Sequence, residues 1–403
     1  MLRVITRGTR VALAAMAAAA CADRSSVTDP ATAPSLSAAA DRSQGGGQRG
    51  DLRAGAVYAM TNQPTGNAIM AFSRASNGSL TPVGIFPTGG LGTGGGTDPL
   101  ASQGSLVLAG HASDEEQQED PSSDAGGLLF AANAGSNDIS VFRVVSTGLT
   151  LASRVSSGGM RPTGLTVHRD LLYVMNAGSG TIDGFRIGKD GSLTAIPGSS
   201  LPITGGMAAN PSEVAFSPDG RELVVTGKAM NNIDTYLVGR NGVPSGPHAN
   251  HSNGASPFGF AFANREHFVV SEPMGSASSY RLSRDGTVGL VSGSVPDFQA
   301  APCWLVTTSN GKYAFAANAA SKSISSYRVS PNGTLALLQS VAGATDPAGA
   351  ALDLALSRGS RYLYSLNDVS GTIDGFRVSG DGTLMRLGMV GGLPPYAQGI
   401  AAR

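Results

Sequence analysis

The sequence predicts an all-β protein, a seven-bladed β-propeller closed by its C-terminal strand. The first observation is a repeat, because Leu171 to Gly191 (LLYVMNAGSGTIDGFRIGKDG) recurs closely as Tyr362 to Gly382 (YLYSLNDVSGTIDGFRVSGDG). Each copy reads as a strand, a Gly/Ser turn, a second strand and a hairpin signal such as Asp-Gly. The second observation is an aromatic residue followed six residues later by Gly, which marks seven copies of the repeat from Phe72/Gly78 to Phe376/Gly382. Repeats of about 40–50 residues built from short strands are typical of propeller blades.

The N-terminus predicts export. Three arginines precede the apolar run Val11 to Ala20, which is too short to span a bilayer but is typical of a signal-peptide core. Residues 1–21 therefore read as a signal peptide whose AAAC end resembles a lipoprotein processing box, and we expect lipid attachment at Cys21. The protein would then be a periplasmic or cell-surface lipoprotein that contacts the membrane only through this anchor. Ala18 replaces the usual Leu of the box, so simple cleavage and secretion is the alternative.

Residues 22–54 read as a disordered tether, and residues 55–403 as the propeller. The first blade lacks an innermost strand, which the segment Gln398 to Ala402 can supply by pairing beside Val57 to Met60. This exchange would close the ring and remove both free sheet edges. A closed ring counts as one domain, and we expect a monomer. With Cys21 lipidated we expect no disulfide framework, so packing has to hold the fold.

Composition and charge limit the function classes. The chain is 41% apolar and 14% charged, and its formal net charge is +0. Nothing in this balance indicates nucleic-acid binding, and no motif predicts a cofactor. The segment from His111 to Gly126 holds six acids and no base, so it reads either as a Ca²⁺ site or as a solvated loop. Because no ligand-spaced Asp-x-Asp-x-Asp pattern is present, we predict a loop and no metal site.

The innermost strands line the channel of a propeller, and their beginnings face the mouth, where the inter-blade loops gather. That mouth is the predicted ligand site. The predicted inner strands are approximately Gly104 to Leu108, Thr163 to His168, Ser212 to Ser217, Phe258 to Ala263, Cys303 to Thr308 and Leu352 to Ser357.

The motifs LLYVMNAGSGTIDGFR, FSPDGRELVVT, SNGKYAFAAN and RYLYSLN resemble those of the lactonase-like seven-bladed propellers. That family includes 6-phosphogluconolactonases and carboxymuconate cyclases and overlaps with the YVTN surface-layer repeats. The resemblance covers residues 55–403 and implies a lactone hydrolase or a muconate-type cycloisomerase. In catalytic members, inner strands begin Pro-Arg-His and a second strand ends in Asn-Glu. No copy here retains Arg-His, although Glu272 in VVSEPMG lies where the family's Glu would follow the strand.

The candidate catalytic residues are the acids predicted near the mouth, Glu213, Asp353 and Glu272. Such carboxyl groups can act as general acid and base, or they can simply hydrogen-bond to loop amides. The candidate ligand-binding residues are Trp304, Lys228, Arg161 and Cys303. Trp304 either stacks on a ring of the ligand or plugs the channel, and Cys303 is either reactive or an inert buried residue.

Two function classes remain open at this point. The first is a non-catalytic extracytoplasmic propeller that binds a small molecule, a glycan or a protein at its mouth. The second is the lactone-ring enzyme that the resemblance implies. The missing Arg-His pairs favour the first class, and the sequence leaves open whether the protein is an enzyme.

Overall fold

The computed structural model describes residues 51–109 and 127–403. These residues form seven antiparallel sheets arranged as the blades of a ring, so the predicted seven-bladed propeller is confirmed. Within these ranges, the only helical turns are two short 3₁₀ segments, Gly206–Ala209 and Arg358–Ser360, and no helix has the length and apolarity needed to cross a membrane. The predicted signal peptide with Cys21, most of the predicted tether and the acidic segment lie outside the described residues.

Each blade runs outward from the channel, and its strands follow one another along the chain. Blade 1 contributes β1 (Ala56–Met60), β2 (Ala68–Arg74) and β3 (Leu80–Pro87). Blade 2 holds β4 (Leu106–Leu108), β5 (Leu128–Asn133), β6 (Asp138–Val145) and β7 (Gly148–Ser156). Blade 3 holds β8 (Pro162–His168), β9 (Leu171–Asn176), β10 (Thr181–Ile187) and an outer strand split into β11 (Leu193–Ala195) and β12 (Leu201–Pro202). Blade 4 holds β13 (Pro211–Phe216), β14 (Glu222–Gly227), β15 (Asn232–Val238) and β16 (Pro244–His251).

The remaining blades repeat this order. Blade 5 holds β17 (Phe260–Phe262), β18 (His267–Glu272), β19 (Ser276–Leu282) and β20 (Val288–Pro296). Blade 6 holds β21 (Pro302–Thr307), β22 (Tyr313–Asn318), β23 (Ser323–Val329) and β24 (Leu335–Ala344). Blade 7 holds β25 (Ala351–Leu356), β26 (Tyr362–Asn367), β27 (Thr372–Val378) and β28 (Leu384–Val390), and the chain ends with β29 (Ile400–Ala402).

The C-terminal strand closes the ring as predicted. β29 pairs antiparallel with β1, with Ala402 opposite Val57 and Ile400 opposite Ala59. β29 is therefore the innermost strand of blade 1. The closure is reinforced at the outside, where the hydroxyl of Tyr364 in blade 7 donates to the carbonyl of Gly78 in blade 1 at 2.8 Å.

The blades are held together by apolar clusters between neighbours. The described residues contain seven such clusters, which match the seven blade interfaces. Tyr173 and Tyr236 share the cluster between blades 3 and 4, and Phe72 and Tyr364 share the one between blades 1 and 7. Leu52, which lies in the predicted tether, is fully buried between blades 1 and 2. Burial of apolar side chains between neighbouring sheets thus provides the packing that was expected to hold the fold.

The Asn residues that end the second strands of several blades bond mainly to side chains of the third strand. The Asn176 amide donates to Asp183 Oδ2 at 2.8 Å, and the Asn367 amide donates to Asp374 Oδ2 at 3.0 Å. The Asn176 amide also donates to the backbone carbonyl of Ser157 at 3.1 Å. The repeated Asn therefore has a structural role in the hairpin.

β-Bulges change the direction of the side chains at the beginning of several inner strands. Pairing of β13 with β14 skips from Pro211 to Glu213, and pairing of β21 with β22 skips from Pro302 to Trp304. A bulge bends the strand and changes where a side chain points. β4 is shorter than predicted and starts at Leu106, because the chain before it turns to the next blade, where the Gly104 carbonyl accepts from the Leu165 N–H at 2.9 Å.

Candidate functional site

The mouth of the channel is filled by the segment Asp98–Gly104, which we call the plug. It connects β3 to β4. Gln103 reaches across to blade 6, where its amide nitrogen donates to the Leu305 carbonyl and its amide oxygen accepts from the Leu305 N–H, both at 2.8 Å. The backbone N–H of Gln103 donates to the carbonyl of Ser212 in blade 4 at 2.8 Å. One residue thus joins opposite parts of the ring.

The other end of the plug is held by the closing segment. Gln398 accepts from the N–H of Leu100 at 2.8 Å and donates to Asp98 Oδ1 at 2.9 Å and to the Ser102 carbonyl at 3.0 Å. The N–H of Asp98 donates to Asp368 Oδ2 in blade 7 at 3.1 Å. The plug and the ring closure therefore share a buried amide.

Two predicted ligand-binding residues hold the plug. Trp304 has no exposed surface, its indole nitrogen donates to the Ser102 carbonyl at 3.0 Å, and its ring meets Phe258 edge-on at 5.1 Å. Lys228 is buried, donates to the Ala101 carbonyl and lies 4.5 Å from the centre of the Phe258 ring. Trp304 was expected either to stack on a ligand or to plug the channel. The structure favours the second alternative, because the residue holds the plug in place.

Arg161 and Cys303 also differ from the expected open site. The Arg161 guanidinium is half-buried and donates to the carbonyl of Pro99, at the start of the plug, at 3.1 Å. Cys303 has no exposed surface, and the described residues contain no free cysteine. Cys303 is disulfide-bonded, so the expectation that the chain has no disulfide is wrong for this residue. Of the two alternatives for Cys303, the structure favours an inert buried residue over a reactive thiol.

Glu272 lies apart from the other two predicted acids. Its buried carboxylate accepts hydrogen bonds from the hydroxyls of Ser276 and Ser278 on the adjacent strand. It packs against Gly254, where an added Cβ would fall on the carboxylate. Glu272 is not among the residues that line the channel cavity, so the predicted grouping of three acids reduces to two.

Below the plug, the channel contains a cavity of about 210 Å³. The plug closes one end of it, and aliphatic side chains of the inner strands form the walls. The lining residues are Gln103, Gly104, Val107, Leu108, Ala109, Leu165, Thr166, Val167, Glu213, Val214, Ala215, Asp353, Leu354 and Ile400. Glu213 and Asp353 are the only ionisable groups in this lining, and they come from blades 4 and 7.

Glu213 is held by one backbone and one side-chain donor. Its Oε2 accepts from the N–H of Phe260, and its Oε1 accepts from the Gln103 amide at 3.2 Å. Burial raises the pKa of Glu213 well above its usual value, since these two hydrogen bonds oppose the shift only in part and a charged Asp353 adds to it.

Asp353 Oδ2 accepts from the N–H of Gly399, in the closing segment, at 2.8 Å. Burial raises its pKa to about 8, opposed by that hydrogen bond and reinforced by the charge of Asp98. At neutral pH the Asp353 carboxyl is therefore mostly protonated. Two carboxyls that favour the acid form thus face one cavity.

The plug adds a second pair of acids near the closing segment. Burial raises the pKa of Asp98 to about 7, although the Lys228 ammonium and the Gln398 hydrogen bond lower it. Burial likewise raises the pKa of Asp368 to about 6. Across residues 51–109 and 127–403, no group of three His, Cys, Asp or Glu side chains is placed to hold a metal ion.

Gln103, Gln398 and Asp98 are not among the site residues predicted from sequence. They belong to segments without a counterpart in the repeat, and an amide gives no chemical signature by itself. The one available signal is the extra length between Phe72 and Phe142, which exceeds every other step between repeat aromatics.

Comparisons with known proteins agree with this architecture. Residues 168–300 match the family model "Lactonase, 7-bladed beta-propeller". A search of curated proteins found no match.

Solved structures give a wider likeness. A protein from Lactobacillus plantarum is 15% identical with a TM-score of 0.67, covering 87% of this chain and 99% of its own. A putative 6-phosphogluconolactonase from Bacteroides fragilis is 18% identical with a TM-score of 0.65, covering 87% and 98%. The periplasmic gluconolactonase of Pseudomonas aeruginosa is 18% identical with a TM-score of 0.61, covering 85% and 98%. The chain therefore has the fold of a seven-bladed β-propeller, and its residues 168–300 are similar to the lactonase family of such propellers.

Proposed function

We propose that this protein is an extracytoplasmic propeller that binds a small molecule in its channel and does not hydrolyse lactones. The observation that carries the proposal is the plug. Trp304, Lys228, Arg161 and Glu213, which sequence reasoning assigned to an open mouth, all donate to or accept from plug residues. A substrate at the mouth would have to displace a segment bonded to several blades.

The size of the remaining space selects among the expected ligands. A cavity of about 210 Å³ is smaller than ordinary drug-sized pockets, which start at roughly 300 Å³. A glycan chain or a protein segment does not fit it. Of the small molecule, glycan and protein considered from sequence, the small molecule is the ligand that the channel can enclose.

The protonation of the two acids also argues against hydrolysis. A general base must be ionised at the working pH. Burial raises the pKa of Asp353 to about 8, so only a minor fraction of this carboxyl is ionised at neutral pH and able to activate a water molecule. Burial also raises the pKa of Glu213, which disfavours its ionised form in the same way.

The direct test is a hydrolysis assay with δ-gluconolactone and 6-phosphogluconolactone at neutral pH. We expect rates equal to those in buffer. Matched variants are Glu213→Gln and Asp353→Asn, each of which keeps the shape of the side chain. Enzymatic hydrolysis that either substitution abolishes would overturn the proposal.

Lactone hydrolysis, or a muconate-type cycloisomerisation, is the second candidate. It is favoured by the family-model match over residues 168–300 and by the meeting of two carboxyls in one cavity. In that case one carboxyl would serve as general acid and the other, once ionised, as general base. The same assay separates the candidates, with a muconolactone added as a further substrate.

We propose export with lipid attachment at Cys21, on the strength of the N-terminal arginines, the short apolar run and the Ala-Cys junction. Cys21→Ser should move the protein from the membrane fraction to the soluble fraction. Mass spectrometry of the mature N-terminus, with and without reduction, is the measurement. An unlipidated N-terminus would contradict lipid attachment. So would a free thiol at Cys21 that appears only after reduction, because the thioether of a lipidated cysteine is not reduced.

A further inference from the structure

The residues that line the channel cavity include acidic side chains and no basic side chain. Its two ionisable groups are Glu213 and Asp353, and the rest of the lining includes the aliphatic side chains of Val107, Leu165 and Leu354. Glu213 and Asp353 are 6% and 3% exposed. Carboxyl groups buried to this degree normally have a compensating cation or a full set of donors. Here the carboxyl oxygens of Glu213 and Asp353 receive fewer hydrogen bonds than they can accept.

Asp353 presents the clearest unused acceptor. Its Oδ2 accepts from the Gly399 N–H at 2.8 Å. Its Oδ1 has no hydrogen-bond partner among the described residues and borders the cavity rather than being sealed in protein. A carboxylate oxygen can accept two hydrogen bonds, so this atom is open to a donor inside the cavity.

The chemistry of the lining excludes most ligand classes. An anion would meet two acids and no base. A purely apolar molecule would leave the carboxyl oxygens without donors. A tightly bound divalent cation takes six or more oxygen ligands, and the described residues provide no group of three suitable side chains. An organic ammonium ion supplies both a positive charge and three N–H donors, and its hydrocarbon suits aliphatic walls.

The two acids belong to blades 4 and 7, which lie three blades apart in the ring, and both border the same cavity. Each could hold one end of a short molecule with a cation at both ends. The plug closes the end of the cavity at which Gln103 and Gly104 lie. A ligand would therefore enter from the opposite end, beside Ala109 and Val167.

We propose that the cavity beneath the plug binds a short alkyldiammonium ion. One nitrogen donates to Asp353 Oδ1, the other donates to the carboxylate of Glu213, and the carbon chain lies along Leu165 and Leu354. This inference rests on the proposed function, because it assigns the ligand class of the same channel site.

Binding must release protons. The ion pairs need ionised carboxylates, whereas burial raises the pKa of Asp353 to about 8 and that of Glu213 well above its usual value. The other charged groups that act on this pair are Asp98, which disfavours ionisation of Asp353, and Lys228, which lies beside Asp98. Affinity should therefore increase as the pH rises from about 6 to about 8, by about tenfold per pH unit for each proton displaced.

The experiment is isothermal titration calorimetry of the full-length protein with putrescine, n-butylamine and n-butanol at about pH 8. We expect the affinity to fall in that order, since the three probes share a four-carbon chain and carry two, one and no ammonium groups. Asp353→Asn should weaken putrescine binding at least about tenfold, because it keeps the acceptor for Gly399 and removes the charge. Ala215→Leu should block binding by filling the cavity. Asp190→Asn, on an exposed hairpin, is the matched control and should bind as the parent does.

The outcomes separate this inference from the proposed function. Absence of putrescine binding in a folded parent protein, equal affinity for putrescine and n-butanol, or affinity unchanged in Asp353→Asn would each overturn the diammonium site. None of these results would be evidence for lactone hydrolysis, which is measured in a separate assay. Conversely, lactonase activity would overturn the proposed function even if putrescine bound.

Discussion

The repeated hairpins of blades 3 and 7 and the plug are built in opposite ways. In the hairpins, β9 pairs with β10 and β26 pairs with β27 in the same register, so Asn176 lies opposite Thr181 and Asn367 opposite Thr372. These bonds join residues close in sequence. The plug bonds instead to residues far along the chain, as Gln103 does to Leu305. Repetition thus builds a scaffold from local contacts, and a single unrepeated segment determines what the channel can hold.

The two regions also differ in the kind of buried polar atom that lacks a partner. In the hairpins, Asp183 and Asp374 accept from the Asn amides of the neighbouring strand, but the amide oxygens of Asn176 and Asn367 have no hydrogen-bond partner among the described residues. At the plug, the carboxyl oxygen Asp98 Oδ2 is buried without a partner in the same residues. Buried polar groups without partners cost free energy. An amide cannot ionise, whereas a carboxyl group can, so we expect the pH-dependent part of this cost at the plug.

The largest effect should come from removing the segment that serves both regions. Deleting Pro395–Arg403 removes β29, exposes the edge of β1 and takes away Gln398, which holds the plug. We expect a fall in melting temperature of roughly 5–10 °C, since in a domain of this size each kcal/mol lost shifts melting by about 1–2 °C and several kcal/mol are lost. Differential scanning calorimetry is the measurement.

Deletion of Arg403 alone is the matched control for this experiment. It removes the backbone bond from Arg403 to Ala56 and leaves the paired residues of β29 in place. We expect a shift of a few degrees at most. If the longer deletion melted like the parent, the closing strand would have no energetic role, and the scaffold would not depend on closure.

A smaller effect should follow from truncating Trp304, whose side chain holds the plug in place. Trp304→Ala removes a fully buried indole and its bond to the Ser102 carbonyl. Truncation of a buried Trp costs about 3–5 kcal/mol of unfolding free energy, so we expect a loss in that range by urea denaturation. Phe298→Ala, at a side chain that is 76% exposed, should cost less than about 0.5 kcal/mol. Equal costs for the two variants would mean that the plug is not packed as described.

The comparison also explains how much the sequence could predict. The blade count, the hairpins and the closing strand follow from periodic aromatics, Asn-Gly and Asp-Gly turns and an incomplete first blade, all of which are local patterns. Pairing of Val57 with Ala402 was predictable because the ring needs an inner strand and only one segment remained. Local patterns recur seven times, so errors in one copy are corrected by the others.

The site was less predictable for a physical reason. Glu213 and Asp353 were expected at the channel because the start of each inner strand is set by the repeat. The position of the plug depends on bonds such as Gln103 to Leu305 and Gln398 to Leu100, between residues hundreds of positions apart. An amide side chain can bond to any backbone group, so composition gives no indication of its partner. From the sequence, Trp304 could therefore be placed at the channel but not assigned to stacking on a ligand or to plugging the channel.

The smallest predicted effect is a pH dependence that belongs to the plug and channel and not to the hairpins. Burial raises the pKa of Asp98 to about 7 and that of Asp353 to about 8, from an ordinary value of 3.8 in each case. Between those limits the folded protein binds more protons than the unfolded chain, so the free energy of unfolding should fall as pH rises from about 5 to about 8. Each of these two groups should contribute at most about 1.4 kcal/mol per pH unit to the slope.

Asp353→Asn should flatten the upper part of that profile, since an amide cannot ionise, and it should stabilise the protein at about pH 8 relative to the parent. Urea unfolding at several pH values is the measurement. Asp190→Asn, whose exposed carboxyl has its pKa lowered chiefly by hydrogen bonds from Ser192, should leave the slope unchanged. A parent profile that rises toward pH 8 would show that these carboxyls are stabilised as anions in the folded state. Ionisation of the plug and channel carboxyls would then cost no stability, and the contrast between ionisable groups at the plug and amide oxygens in the hairpins would not hold.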